Sequence, residues 1–237
     1  MSEYQHYQFL ALDRPLSDKQ LAGVRELTTR AELTRTSFLN TYQWGDFKGS
    51  PDRLLEQCYD AFLYFANWGT RQLMLRWPTG QLPLEVAEPY CTSPSAEARR
   101  HGGHTLITLT SDSEDDVEDF GDLFDYGDHG YDTGREEQWL PSIARARPDV
   151  ATGDLRLLYL AWLLSLHNGD LDEDESEPPL PAGLATLPTS LTDLATFLRI
   201  DPDLIAAAAQ PLPGTAPRRT VAELRGAVPV QAALRAE

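Results

Sequence analysis

Two histidines separated by two glycines, His101-Gly102-Gly103-His104, with Cys91 ten residues upstream, are the nearest approach in this sequence to a set of metal ligands. Imidazole and thiolate would suit zinc, but such sites draw on paired Cys or His at short fixed spacing, and one His-x-x-His with a distant Cys falls short of that. A glycine hinge with surface histidines is the plainer expectation, and neither a metal nor another cofactor is expected. Asp170, Asp172 and Asp174 alternate as at the start of a calcium loop. Glu175 then occupies the position where that turn requires glycine, and Pro178 and Pro179 interrupt the rest. Asp46 and Asp60, flanked by Trp44, Lys48 and Tyr64, are the candidate catalytic residues, since they could form a polar site near a sheet edge of the kind a small hydrolase uses. The competing expectation makes Trp44-Gly45-Asp46 a turn and puts Asp60 on the solvated face of a helix. The chain has no G-x-S-x-G elbow and no P-loop, so it offers nothing firm for nucleophilic catalysis.

A different chemistry is written between Ser111 and Tyr131, SDSEDDVEDFGDLFDYGDHGY, where carboxylates alternate with aromatic rings. Residues 111–178 carry a net charge of −16, against −1 for 1–110 and zero for 179–237. A chain of this kind repels phosphate backbones, which excludes direct nucleic-acid binding. It can instead dock on a basic protein, with charge steering the encounter and rings supplying buried contact. Asp115, Asp116, Asp119, Phe120, Phe124 and Tyr126 are the candidate partner-binding residues. Set against this is a solvated loop that only keeps the protein soluble, because the tract cannot bury enough apolar surface to order itself.

The elements that must position these groups are punctuated clearly. Ser17 with Gln20 forms a capping box, stapled by Leu16 and Leu21, and opens a helix after a central strand at Tyr7–Asp13. Ala31–Asn40 and Thr41–Phe47 predict one bent strand or two short ones. Ser50-Pro51-Asp52 is an N-cap signature, and the apolar spacing beyond it predicts a helix to Asn67, ended by Gly69. An alternating strand at Arg71–Trp77, a short helix near Leu84–Tyr90 and a strand at His104–Thr110 follow. In the second half, Gln138–Arg147 predicts a short helix and LRLLYLAWLLSLHN, capped by Asp154, a central one. Ser190 with Asp193, Asp201-Pro202-Asp203 and Thr220 with Glu223 mark three further helix starts.

The strings YQFLALDRPLS, TSFLNTYQWGDFKGSPDRLLEQCYDAFLYFANWG and DLATFLRIDPDLIAAAA resemble those of an uncharacterised bacterial protein family with a WGDFKG, DAFLYFANWG and FLRIDPDL pattern. The resemblance touches both halves of the chain. It implies no known activity and transfers no residue role. Some relatives extend further at the C-terminus, which implies that this chain is a short form.

The reading is an α+β protein. Residues 1–110 form a ferredoxin-like (split βαβ) module, 111–137 an acidic and partly mobile segment, 138–210 a mainly helical region, and 211–237 a Pro/Ala/Arg-rich tail. No stretch is apolar enough to span a membrane and no signal peptide is expected. The two cysteines make no framework, which predicts a cytoplasmic protein. The expected role is non-enzymatic, as an interaction or regulatory module for a protein partner with a basic surface. The alternative is a small hydrolase with a carboxylate site between the two halves, and a third reading is an acidic mimic of nucleic acid.

Overall fold

The computed structural model describes residues 3–28, 30–113, 136–210 and 218–229. Its central strand, β1 (Gln5–Leu10), is paired on both sides, antiparallel to β3 (Ser37–Tyr42) and to β4 (Ala61–Ala66). That double pairing is why apolar side chains recur on both of its faces. The short β2 (Glu32–Leu33) lies outside β3, and β5 (Arg71–Pro78) outside β4. Beyond β5 come β8 (His104–Ser111), β7 (Ala96–His101) and β6 (Thr92–Ser93). Among the described residues the result is one antiparallel sheet of eight strands in the order β2-β3-β1-β4-β5-β8-β7-β6.

Helix α1 (Asp18–Leu27) starts as its capping box predicts, the Ser17 hydroxyl and the Gln20 side chain each serving the other's backbone N–H. The next helix differs from expectation. Ser50 caps it and Pro51 opens it, but α2 (Pro51–Gln57) ends after two turns, and residues expected to continue it form β4. The run Ala61-Phe62-Leu63-Tyr64-Phe65-Ala66 is apolar at almost every position, so it satisfies helical and alternating patterns alike. Burial on both faces resolves the ambiguity, since Phe62 enters one core and Leu63 and Phe65 the other. Strand β7 was also not anticipated. His101-Gly102-Gly103-His104, expected as a hinge, is the tight turn of the β7–β8 hairpin, with His101 paired to His104.

Because neighbouring residues of a strand face opposite ways, the sheet has two cores. Tyr7, Phe9, Phe38, Phe62, Met74 and Leu106 pack with Val24 of α1 and Leu54 and Leu55 of α2. Leu63, Leu73, Leu75, Trp77, Ile107 and Leu109 pack with the C-terminal half. Beyond the short α3 (Leu84–Ala87) that follows β5, that half contains α4 (Glu136–Ile143), α5 (Arg147–Ala151), α6 (Arg156–His167), α7 (Thr189–Phe197), α8 (Pro202–Ala208) and α9 (Val221–Ala227). Helix α6 is buried from Leu157 through Leu166, the central helix its composition demands. Asp201 caps α8, and Thr220 with Glu223 forms the second capping box. Helix α7, by contrast, has no side-chain cap. Asp193, expected to help open it, accepts a hydrogen bond from the Ser142 hydroxyl and ties α7 to α4. No helix among the described residues is long and apolar enough to cross a membrane.

Candidate functional site

The two candidate carboxylates lie at opposite ends of β1. Asp60 donates its backbone N–H to the Leu10 carbonyl (2.8 Å), whereas Asp46 accepts from the Gln5 side-chain amide (3.0 Å). Six residues of strand separate those contacts, about 17 Å. The structure therefore does not bring the pair into one site.

Asp60 is not on a solvated helix face. It is 1% exposed, because the chain turns from α2 into β4 at that point. One carboxylate oxygen accepts from the backbone N–H groups of Leu12 (2.7 Å) and Asp13 (2.9 Å), and the other from the Arg76 guanidinium. Arg76 also donates to the carbonyls of Leu55 (2.7 Å) and Glu56 (3.1 Å), closing the C-terminal end of α2. Beside this pair, Arg147 grips Asp13 with two bonds of 2.6 and 2.8 Å and donates to the Arg76 carbonyl. The Trp77 indole N–H donates to the Arg147 carbonyl (2.9 Å). The Arg147 bond holds the Asp13 carboxyl below its ordinary 3.8. Burial lowers the His104 imidazole, and the nearby Arg76 charge lowers it further. Every charge here has an assigned partner, so this end is a clamp between the sheet and the helical half.

At the other end the groups are differently disposed. Tyr7 and Tyr64 both donate to the Gln5 side-chain oxygen, at 2.8 and 3.1 Å, while the Gln5 amide donates to the Gly45 carbonyl and to Asp46. Burial, reinforced by the Asp46 charge, pushes the Tyr7 phenol up to about 12. Tyr64 is raised by burial, then by Tyr7, Asp46 and Asp112. Neither phenol ionises at neutral pH, so both act as hydrogen-bond donors rather than as bases or nucleophiles. Asp46 itself is exposed. Two tryptophans lie in turns at this end of the sheet: Trp44, 69% exposed in the turn after β3, and Trp68, 44% exposed in the turn between β4 and β5. The only other exposed large hydrophobics among the described residues are Leu12 and Leu180.

The Trp68 turn is held firmly. Gly69 has φ of 100°, and a Cβ there would lie 1.8 Å from the Ser113 carbonyl oxygen, so only glycine fits. Arg199 donates to the Gly69 carbonyl (2.8 Å) and the Ser111 hydroxyl (3.4 Å). It does so from the residue that ends α7 in a left-handed conformation, φ 59°, which costs about 1 kcal/mol for a side chain other than glycine. Arg71 reaches the Phe197 carbonyl (3.0 Å) of the same helix. The chain leaves β8 at Ser111, beside this turn, so the acidic tract departs from the tryptophan end of the sheet.

The other candidates fare differently. Cys91 packs with the core shared with the C-terminal helices, whereas His101 and His104 share a face with Leu106, on the opposite side of the sheet. His101 lies 3.3 Å from Glu56. Among the described residues no group of three His, Cys, Asp or Glu could hold a metal ion, the Asp170–Asp174 run included. Asp115, Asp116, Asp119, Phe120, Phe124 and Tyr126 lie outside the described residues. Sequence reasoning missed Gln5 and Tyr7 as neighbours of Asp46, because Tyr64 was assigned to a helix; a strand reading of 61–66 would have aligned them. No protein-family model, no curated protein and no solved structure matches the chain.

Proposed function

We propose that the protein is a non-enzymatic interaction module that docks a basic surface of a protein partner against the tryptophan end of its sheet. The observation that carries this reading is that Trp44 and Trp68, both exposed, lie in turns at the end of the sheet where β8 ends, the Trp68 turn lying directly against Ser113. Exposed indoles are the side chains that contribute most when buried in an interface. Carboxylates of the tract would steer a Lys/Arg-rich partner toward them. The raised phenols of Tyr7 and Tyr64 stay protonated near neutrality and serve as hydrogen-bond donors, which suits binding more than catalysis.

In the finer fold reading, β2-β3-β1-β4 with α1 and α2 is a ferredoxin-like split βαβ unit, extended by the remaining strands. Supporting it are the strand order, the antiparallel pairings and the packing of both helices on one face. A cytoplasmic setting is in keeping with the two free cysteines, Cys58 and Cys91.

The test is capture of the tagged full chain's partner from cells that naturally make it, at low salt, beside a Trp44→Ala/Trp68→Ala variant. A stoichiometric partner with a basic surface, released by high salt and absent from the variant, is the expected result. A partner retained equally by the variant, or none at all, overturns the proposal. A nucleic-acid-binding partner would turn the reading toward mimicry.

A further inference from the structure

Both lysines of the chain, Lys19 and Lys48, line one groove, together with Arg53. The groove runs between α1 and α2 on the outer side of the first core and encloses about 730 Å³, within the range of small-molecule sites. Its floor is Val24, Leu27, Leu54 and the buried Cys58, and its rim carries Gln20 and Gln57.

Two features set it apart from ordinary surface. First, none of these three cations makes an ion pair or a side-chain hydrogen bond among the described residues. Of the acids on the same two helices, Asp18 is paired with Arg35 at 2.5 Å and Asp52 and Glu56 with Arg99 at 2.8 and 2.7 Å, whereas Glu26 near the end of α1 makes no ion pair among the described residues. The residues that line the groove include these three cations and no acid, so its lining is positively charged. Second, Gly23 sits within α1, where glycine costs about 1 kcal/mol relative to alanine. A Cβ at Gly23 would meet nothing within 4 Å, so no packing demand accounts for it; its missing side chain leaves the groove open. Gly49 across the groove is different, because a Cβ there would strike the Phe47 ring at 2.5 Å.

We infer that this groove binds a small polyanion, a phosphate-bearing or polycarboxylate molecule, with Lys19, Lys48 and Arg53 as the anion contacts and the Val24–Leu27–Leu54 floor receiving an apolar portion. Lysine is suited to this as a mobile point charge, and arginine as a planar fork for phosphate or carboxylate oxygens. The site lies apart from Trp44 and Trp68 in its lining, and the inference does not depend on partner docking.

Titration calorimetry at low salt with inorganic pyrophosphate and with citrate tests it on the full chain. The expected result is saturable binding of at least one anion at millimolar concentration or below. In Lys19→Gln/Lys48→Gln/Arg53→Gln the affinity falls at least about a hundredfold, on the order of 1.4 kcal/mol per tenfold step. Gly23→Leu, which adds bulk to an open helix face and leaves every charge in place, weakens the same binding. Circular dichroism melts within a few degrees of wild type show that both variants fold. Pyrophosphate preferred over citrate identifies a phosphate ligand, and the reverse a carboxylate ligand. Absence of saturable binding by either anion, or binding that survives the triple substitution, overturns the inference.

Discussion

At the Leu10 end of β1, Asp60, Arg76, Asp13 and Arg147 exchange bonds with one another and with the carbonyls that end α2. At the Gln5 end, Asp46 has the Gln5 amide as its one side-chain hydrogen-bond partner among the described residues and stands in solvent, at an end of the sheet whose turns carry two exposed indoles. The contrast shows how one residue type takes opposite roles within a single strand's length. Where the chain turns inward, a carboxylate must be fully paired, because an unpaired buried charge is costly. Where it turns outward, the carboxylate stays available.

The largest effect expected from this contrast is at Asp60. Asp60→Ala strands the Arg76 guanidinium, 7% exposed, and should cost about 3–5 kcal/mol in urea denaturation. Asp46→Ala should cost well under about 1 kcal/mol. Equal losses would erase the distinction between the two ends.

An acid titration comes next in size. Burial lowers His6, which stacks on Phe65 at 4.7 Å, to about 4 from an ordinary 6.5. Its folded value lies below its unfolded one, so the stability gained by keeping it neutral is fully present above pH 6.5. That stability is lost as pH falls toward 4, by roughly 3 kcal/mol. Asp13, held below 3.8, loses its contribution only at lower pH, so the two windows separate. His6→Phe should flatten the upper window and leave the lower one; an unchanged profile would refute the assignment.

Gly69→Ala forces a Cβ onto the Ser113 carbonyl at a positive φ and should destabilise by about 1–3 kcal/mol. Weakened partner capture should accompany it, since the same turn carries Trp68. The smallest effect sharpens the comparison most: Trp44→Ala should leave the melting free energy within about 0.5 kcal/mol while abolishing capture. A large loss of stability there would mean that Trp44 belongs to the fold rather than to a surface.

What could be read from the sequence was whatever local chemistry settles. Ser17 with Gln20, Ser50-Pro51, Asp201-Pro202 and Thr220 with Glu223 each fix a helix start through a side chain within three residues of the backbone it serves. The all-apolar α6 was legible for the same reason, composition alone demanding burial. Tertiary structure decided the rest. Ala61–Ala66 is strand rather than helix because β1 and β5 stand on either side to accept its hydrogen bonds. Asp60 is a clamp because Arg76, sixteen residues on, returns beside it across that sheet. The neighbours of Asp46 come from β1 and β4, and the three cations of the groove from α1, α2 and the loop between β3 and α2. Proximities of that kind are set by strand order, and no local preference in the chain encodes strand order on its own.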